Sequence, residues 1–205
     1  MHATRHRPLQ PLLTAARCRW HGAVLVLACL SAIGTPFPVL AVESEASEAA
    51  VQAAYLFNFA RFTEWPPGGF STRNAPLNYC LLGRRDALAN AMNSLSDKPV
   101  QGHPLRFIQP ERIEDIKVCH LVFMAETDPK RRAQALQILA AQPTLTVSDL
   151  DGFAKDGGMI GLIRVGTRLR FEINRSQTQR TGLRLSADLL NLATAIVEPE
   201  MGASR

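Results

Sequence analysis

Apolar and polar positions alternate with two different periods along this chain, and the changes of period mark out its elements. From Glu43 an acidic, alanine-rich stretch leads into Tyr55–Trp65, where apolar residues recur at helical spacing. Ser44 or Ser47 is placed to cap that helix, and Pro66-Pro67-Gly68-Gly69 to end it. Leu77–Leu82 alternates between turn residues and predicts a strand, Asp86–Leu95 a helix, Pro104–Ile108 a short strand and Pro110–Ile116 a helical turn. Val118–Ala125 is almost continuously apolar, as a strand buried on both faces is. Pro129–Ala141 is amphipathic and preceded by the capping residue Asp128, and Thr144–Val147 predicts another strand.

Strands alternating with helices predict an α/β fold, a mostly parallel sheet with helices on both faces. After the loop Ser148–Gly158 the grammar changes. Met159–Val165 and Arg168–Ile173, joined by Gly166-Thr167, predict an antiparallel hairpin added at the C-terminal end of the sheet. A long helix over Ser176–Val197 is expected to close the chain. On its wheel Leu185, Leu189, Leu192 and Ile196 form one apolar stripe and Leu183, Ala187, Leu190 and Val197 another. A helix apolar on two sides needs two covers, and a second copy of the chain is one candidate.

Composition changes this picture at the N-terminus. Arg5, Arg7, Arg17 and Arg19 precede an apolar stretch, Gly22–Gly34, and Val39-Leu40-Ala41 supplies a small-x-small cleavage pattern. Residues 1–41 are therefore read as an export signal cut after Ala41, leaving residues 42–205 as a single α/β domain in the periplasm. The apolar stretch falls short of the roughly 20 residues a membrane span needs. The chain has 23 basic and 18 acidic residues. Setting aside four arginines leaves 19 against 18, a net charge of about +1 that offers nothing to nucleic acid. Two of the four cysteines go with the leader. Cys80 and Cys119 remain, a pair that an oxidising compartment favours bridging, with two separate buried thiols as the alternative.

Aromatic residues are unevenly spent. The chain has nine Phe, two Tyr and two Trp, and Tyr55, Phe57, Phe59, Phe62 and Trp65 fall within one short run. Val51, Tyr55, Phe59 and Phe62 share a helical stripe that predicts a core face. Phe57 lies on the other side near Arg61 and Glu64. It either packs beneath a neighbouring element or anchors a partner.

Catalytic chemistry is not legible. His103 and His120 have no Cys, Asp or Glu at metal-ligand spacing, and no nucleophile elbow, phosphate loop or zinc-protease motif occurs. No catalytic residue, metal ligand or cofactor is expected. Gly83-Arg84-Arg85-Asp86 follows a predicted strand, and Arg84 and Arg85 could meet a small anion beyond its carboxyl end. Asp149, Asp151 and Asp156 cluster among glycines and read as loop caps, with carboxylates that share a proton or hold a cation as the alternative.

Two segments carry a family resemblance. The run Ala53-Ala54-Tyr55-Leu56-Phe57-Asn58-Phe59-Ala60-Arg61-Phe62 with Glu64-Trp65-Pro66, and the closing Arg170-Phe171-Glu172-Ile173-Asn174 followed by Gly182-Leu183-Arg184-Leu185-Ser186 and Leu189-Leu190, resemble the YfiR/HmsC-like periplasmic proteins over about Val51 to Val197. The resemblance implies a Rossmann-like α/β domain that forms a homodimer and has no catalytic activity. It implies inhibition of an inner-membrane diguanylate cyclase through its periplasmic sensor region, which lowers cyclic di-GMP and restrains biofilm and exopolysaccharide. It also implies release by redox or envelope stress and by an OmpA-like lipoprotein. Cys80 and Cys119 match one family disulfide. A second pair would fall near Ala154 and Gly161, where this chain has no cysteine. Glu172 and Arg184, in the closing motif, are expected surface contacts alongside Phe57.

Overall fold

The structure, a computed structural model, describes residues 39–198. In chain order the elements are α1 (Val39–Arg61), β1 (Thr63–Glu64), β2 (Leu77–Leu82), α2 (Asp86–Asn93), β3 (Pro99–Val100), β4 (His103–Ile108), a 3-10 helix (Ile113–Val118), β5 (Leu121–Met124), α3 (Pro129–Leu139), β6 (Leu145–Ser148), β7 (Ile160–Val165), β8 (Arg168–Asn174), α4 (Arg175–Arg180), β9 (Arg184–Leu185), α5 (Ala187–Leu192) and β10 (Ala195–Val197). The predicted leader lies outside the described residues except for its last three. The expected cut after Ala41 would fall in the first turn of α1. Among the described residues no helix is long and apolar enough to cross a membrane.

The main sheet has the order β10-β8-β7-β6-β5-β2-β4-β3 among the described residues. Its centre, β4-β2-β5-β6-β7, is parallel throughout. The predicted hairpin is present, with β8 antiparallel to β7 from Ile160↔Ile173 to Val165↔Arg168. Strand order reverses between β2 and β5, the switch point of a Rossmann-like sheet.

Alternation along the strands divides the core between the two faces. Leu77, Tyr79 and Leu81 of β2 join Leu121, Phe123 and Leu145 against α1 and α2. Cys80, Leu82, Val122 and Met124 face the 3-10 helix, α3 and Phe153. Burying each large side chain contributes roughly 1.5–3 kcal/mol. Asp128 caps α3 as predicted, its carboxylate accepting from the Lys130 N–H at 2.9 Å. The cysteines are bridged, Cys80 to Cys119, with Cα atoms 6.0 Å apart.

Several expectations are corrected. The long closing helix does not form. α4 stops at Arg180, Gly182 takes φ +76°, and the rest of the segment becomes β9, α5 and β10. Backbone partners elsewhere decide this: β9 pairs with β1 and β10 with β8, which helical periodicity cannot foresee. α1 ends at Arg61 rather than Trp65, because Thr63–Glu64 is taken into β1. It begins at Val39, so Ser44 and Ser47 lie inside the helix rather than at its cap. The fifth strand is Leu121–Met124, shorter than its apolar run, and the bridge therefore joins β2 to the segment entering β5.

Candidate functional site

The two resemblance-bearing segments, more than a hundred positions apart, are one structural unit. β1 pairs with β9 through Thr63↔Leu185 and Glu64↔Arg184. The Tyr55 hydroxyl donates to the Leu169 carbonyl at 2.9 Å, and the Ser186 N–H donates to the Phe62 carbonyl at 2.9 Å. The Phe171 ring of β8 stands edge-on to Tyr55 at 6.0 Å and to Phe59 at 5.0 Å, within the range for favourable aromatic pairs.

Along this seam lies an open groove of about 280 Å³. Val51, Tyr55 and Phe62 form one wall, Leu189 and Leu192 of α5 the other, and Phe59 and Phe171 the floor. Asn58 is the polar residue on the lining, and its amide donates to the Ala54 carbonyl. The stripe read as core thus splits. Phe59 is buried, while Val51 is 45% exposed and faces Leu192 at 64%. Ile196, 43% exposed, pairs in register with Ile173 on the same face of the sheet and extends the apolar surface onto β10. The face of α1 that enters the core is instead Ala49, Gln52, Ala53, Leu56, Phe59 and Ala60. Sequence reading missed Phe171 as the groove floor. The available signal was its place in the alternation of β8, opposite Glu172.

The expected surface residues do not converge. Phe57 is half-buried on the far side of α1, with the Arg61 guanidinium 5.9 Å from its ring centre. Arg184 is exposed and sits 3.8 Å from Glu64 across the β1–β9 pair, beside the Phe62 end of the groove. Glu172 is half-buried and lies over Gly161, whose missing Cβ would come within 3.1 Å of its carboxylate. The same Cβ would lie 3.6 Å from the Ala154 N atom. Positions 154 and 161 are therefore neighbours, in a space the Glu172 side chain now fills.

At the switch point the strand exits close on each other, while Arg84 and Arg85 line an open pocket of about 410 Å³ with Gln52, Asp86 and Leu88. A Cβ on Gly83 would come within 2.9 Å of the Ala125 backbone, so β2 and β5 exit in direct contact. Arg85 turns back over the Phe123 ring and grips Asp149 at the end of β6 with both guanidinium arms, at 2.6 and 2.9 Å. Gln52 of α1 donates to the same carboxylate at 2.9 Å. Arg85 has its anion already; Arg84 is exposed beside it. Asp149, read as a loop cap, is instead the acceptor that ties α1 to the sheet. Among the described residues no group of three His, Cys, Asp or Glu could hold a metal ion.

Fold and site together define an α/β domain that carries, among its open pockets, an apolar, aromatic-floored surface groove. The chain belongs to the YfiR/HmsC-like family, whose model matches residues 49–194, spanning both segments of the seam. Among solved structures it is similar to an ABC domain in complex with L-Trp from Streptococcus pneumonia, at 7% identity and a TM-score of 0.47, over 71% of this chain and 60% of that one. It is also similar to a conserved domain protein from Vibrio cholerae, at 11% identity and a TM-score of 0.40, over 59% of this chain and 55% of that one. Likenesses at this level carry no argument about function.

Proposed function

We propose that this protein is a non-enzymatic periplasmic regulator that inhibits an inner-membrane diguanylate cyclase by docking on its periplasmic sensor region. The groove carries the reading. It presents Tyr55, Phe62, Val51 and Leu192 to solvent around a buried aromatic floor, and such an apolar pocket suits the large side chain of a protein partner. At about 280 Å³ it falls just below the range usual for small-molecule sites. Family membership supports the same reading. Arg184 and Glu64, exposed at one end, would supply the polar rim. Glu172 and Phe57 would contribute at a distance from the groove, and an OmpA-like lipoprotein would release the cyclase by competing for the same surface.

Pull-down of the cyclase from detergent-solubilised membranes, with deletion of the gene and measurement of cyclic di-GMP, tests this. Capture by the wild type, loss of capture in Leu192→Asp and a rise of cyclic di-GMP on deletion are expected. Unchanged cyclic di-GMP after deletion retires the reading. A second copy of the chain is the competing occupant of the groove. Light scattering of wild type and Leu192→Asp separates the two, because only a homodimer through this surface would become monomeric. A small-anion reading for Arg84 and Arg85 draws no support from the pairing of Arg85 with Asp149.

A further inference from the structure

The described residues include two histidines, and both stack on one phenylalanine. Phe70 lies between the His103 ring, 3.7 Å away and 10° from parallel, and the His120 ring, 4.4 Å away and 15° from parallel. Trp65 stands edge-on to both Phe70 and His120, at 5.9 and 6.3 Å. Each imidazole also holds the backbone of the segment that carries Phe70. His103 Nδ1–H donates to the Ala75 carbonyl at 2.7 Å, and His120 Nε2–H donates to the Gly69 carbonyl at 3.0 Å. His120 is occupied on both sides, because its Nδ1 accepts the Asn78 N–H at 3.0 Å. That acceptance defines the neutral tautomer, with the ring proton on Nε2.

We propose that residues 66–76 form an acid-released strap, held closed by His120 in its neutral form and opened when that imidazole takes up a proton. A proton on Nδ1 would face the Asn78 N–H donor to donor, and one of the two groups must move. The strap runs from β1 to β2, and a Cβ added on Gly182 would meet the Pro66 ring at 3.6 Å, so Pro66 lies over the turn that leads into β9 and release of the strap reaches the β1–β9 seam. Burial holds the His120 imidazole below the ordinary histidine range against the raising effect of its bond to Gly69, and His103 across the Phe70 ring lowers it further. Among the groups on the surrounding elements, Arg73 of the strap lines the same depression as Phe70 and His103. Lys117 of the 3-10 helix, Arg106 of β4 and Glu64 of β1 are exposed. β2 offers only Tyr79, whose hydroxyl is bound to the Met92 carbonyl, and β5 offers no charge.

The sign follows from linkage. The open form binds the proton more tightly than the closed one. The closed strap is therefore intact above about pH 6.5, and opening grows as pH falls toward the lowered value of the closed form. Hydrogen exchange of the strap, corrected for the intrinsic pH dependence of exchange, is the measurement, and it needs no partner. Opening should rise with falling pH in that window, by at most about tenfold per pH unit for one proton, while peptides from β5 and β6 stay protected. His120→Gln keeps a donor toward Gly69 but cannot titrate, and its strap should show no such rise. A wild-type strap equally protected at about pH 5 and pH 7.5, or an acid rise that persists in His120→Gln, overturns the proposal. If the variant does not fold, imidazole NMR of the wild type decides. Titration of His120 below about 6.5 supports the strap, and titration at or above it overturns it.

Discussion

Two ends of the sheet that look equally suited to binding have opposite fates. At the switch point between β2 and β5, open α/β sheets place their ligands, and here arginines follow the first strand. Yet Arg85 spends its guanidinium on Asp149, Gln52 adds a third hydrogen bond, and Gly83 lets the two strand exits touch. Just beneath, Cys80–Cys119 ties β2 to the entry of β5. At the α1–α5 seam, by contrast, backbone pairing is brief and large apolar side chains stand open to solvent. The difference teaches that charge at a favoured position is no guide to ligand binding until its partners are known. Apolar residues left uncovered by a finished fold are the better pointer.

Breaking the closed end should cost stability and leave the seam's surface chemistry untouched. The largest effect expected is from Cys80→Ala with Cys119→Ala. Opening a loop with a sequence separation of 39 should cost roughly 4 kcal/mol on the chain-entropy estimate, read by urea denaturation. A loss below about 1 kcal/mol would mean that the bridge is ornamental and the contrast overdrawn.

Tyr79 gives a smaller, pH-dependent effect at the same end. Burial pushes its phenol up to about 12, against a lesser opposing hydrogen bond from Ser96. The raised value means stability is complete below about pH 10 and lost as pH climbs toward 12, by at most roughly 2–3 kcal/mol. Tyr79→Phe should be somewhat less stable at neutral pH and should lose much less in alkali, seen in melting temperatures across that window.

Arg85→Ala removes the partner from a mostly buried Asp149. Because Arg85 itself is about a third exposed, the expected loss is only about 1 kcal/mol in thermal denaturation, and Arg85→Ala with Asp149→Asn should recover part of it. Full neutrality of the single variant would leave the closed end without its lock.

The seam should respond in the reverse way. Leu192→Asp, at a site 64% exposed, should change stability by no more than about 0.5 kcal/mol while weakening partner capture at least about tenfold. Wild-type capture by this variant would make the groove an ordinary surface.

Much of this molecule is legible in its sequence because the governing signals are local or periodic. Strand β2 matches its predicted bounds, Asp128 caps α3, and the β7–β8 hairpin falls where Gly166-Thr167 separates two apolar runs. The parallel centre of the sheet follows from strands alternating with helices, and the Cys80–Cys119 bridge matches the pairing expected in preference to two separate thiols. Those features are set by hydrophobic period, cap chemistry and composition, none of which needs long-range information.

The remaining features were decided by tertiary structure alone. Ser176–Val197 has helical periodicity, but hydrogen bonds offered by β1 and β8 outweigh it and break the segment at Gly182. Asp149 reads as a loop residue until the fold brings Arg85 and Gln52 to it across 64 and 97 positions of chain. The groove needs Tyr55 and Phe59 beside Phe171 and Leu192, residues that no local pattern connects. Periodicity records which side chains avoid water; only packing determines which of them still meet it.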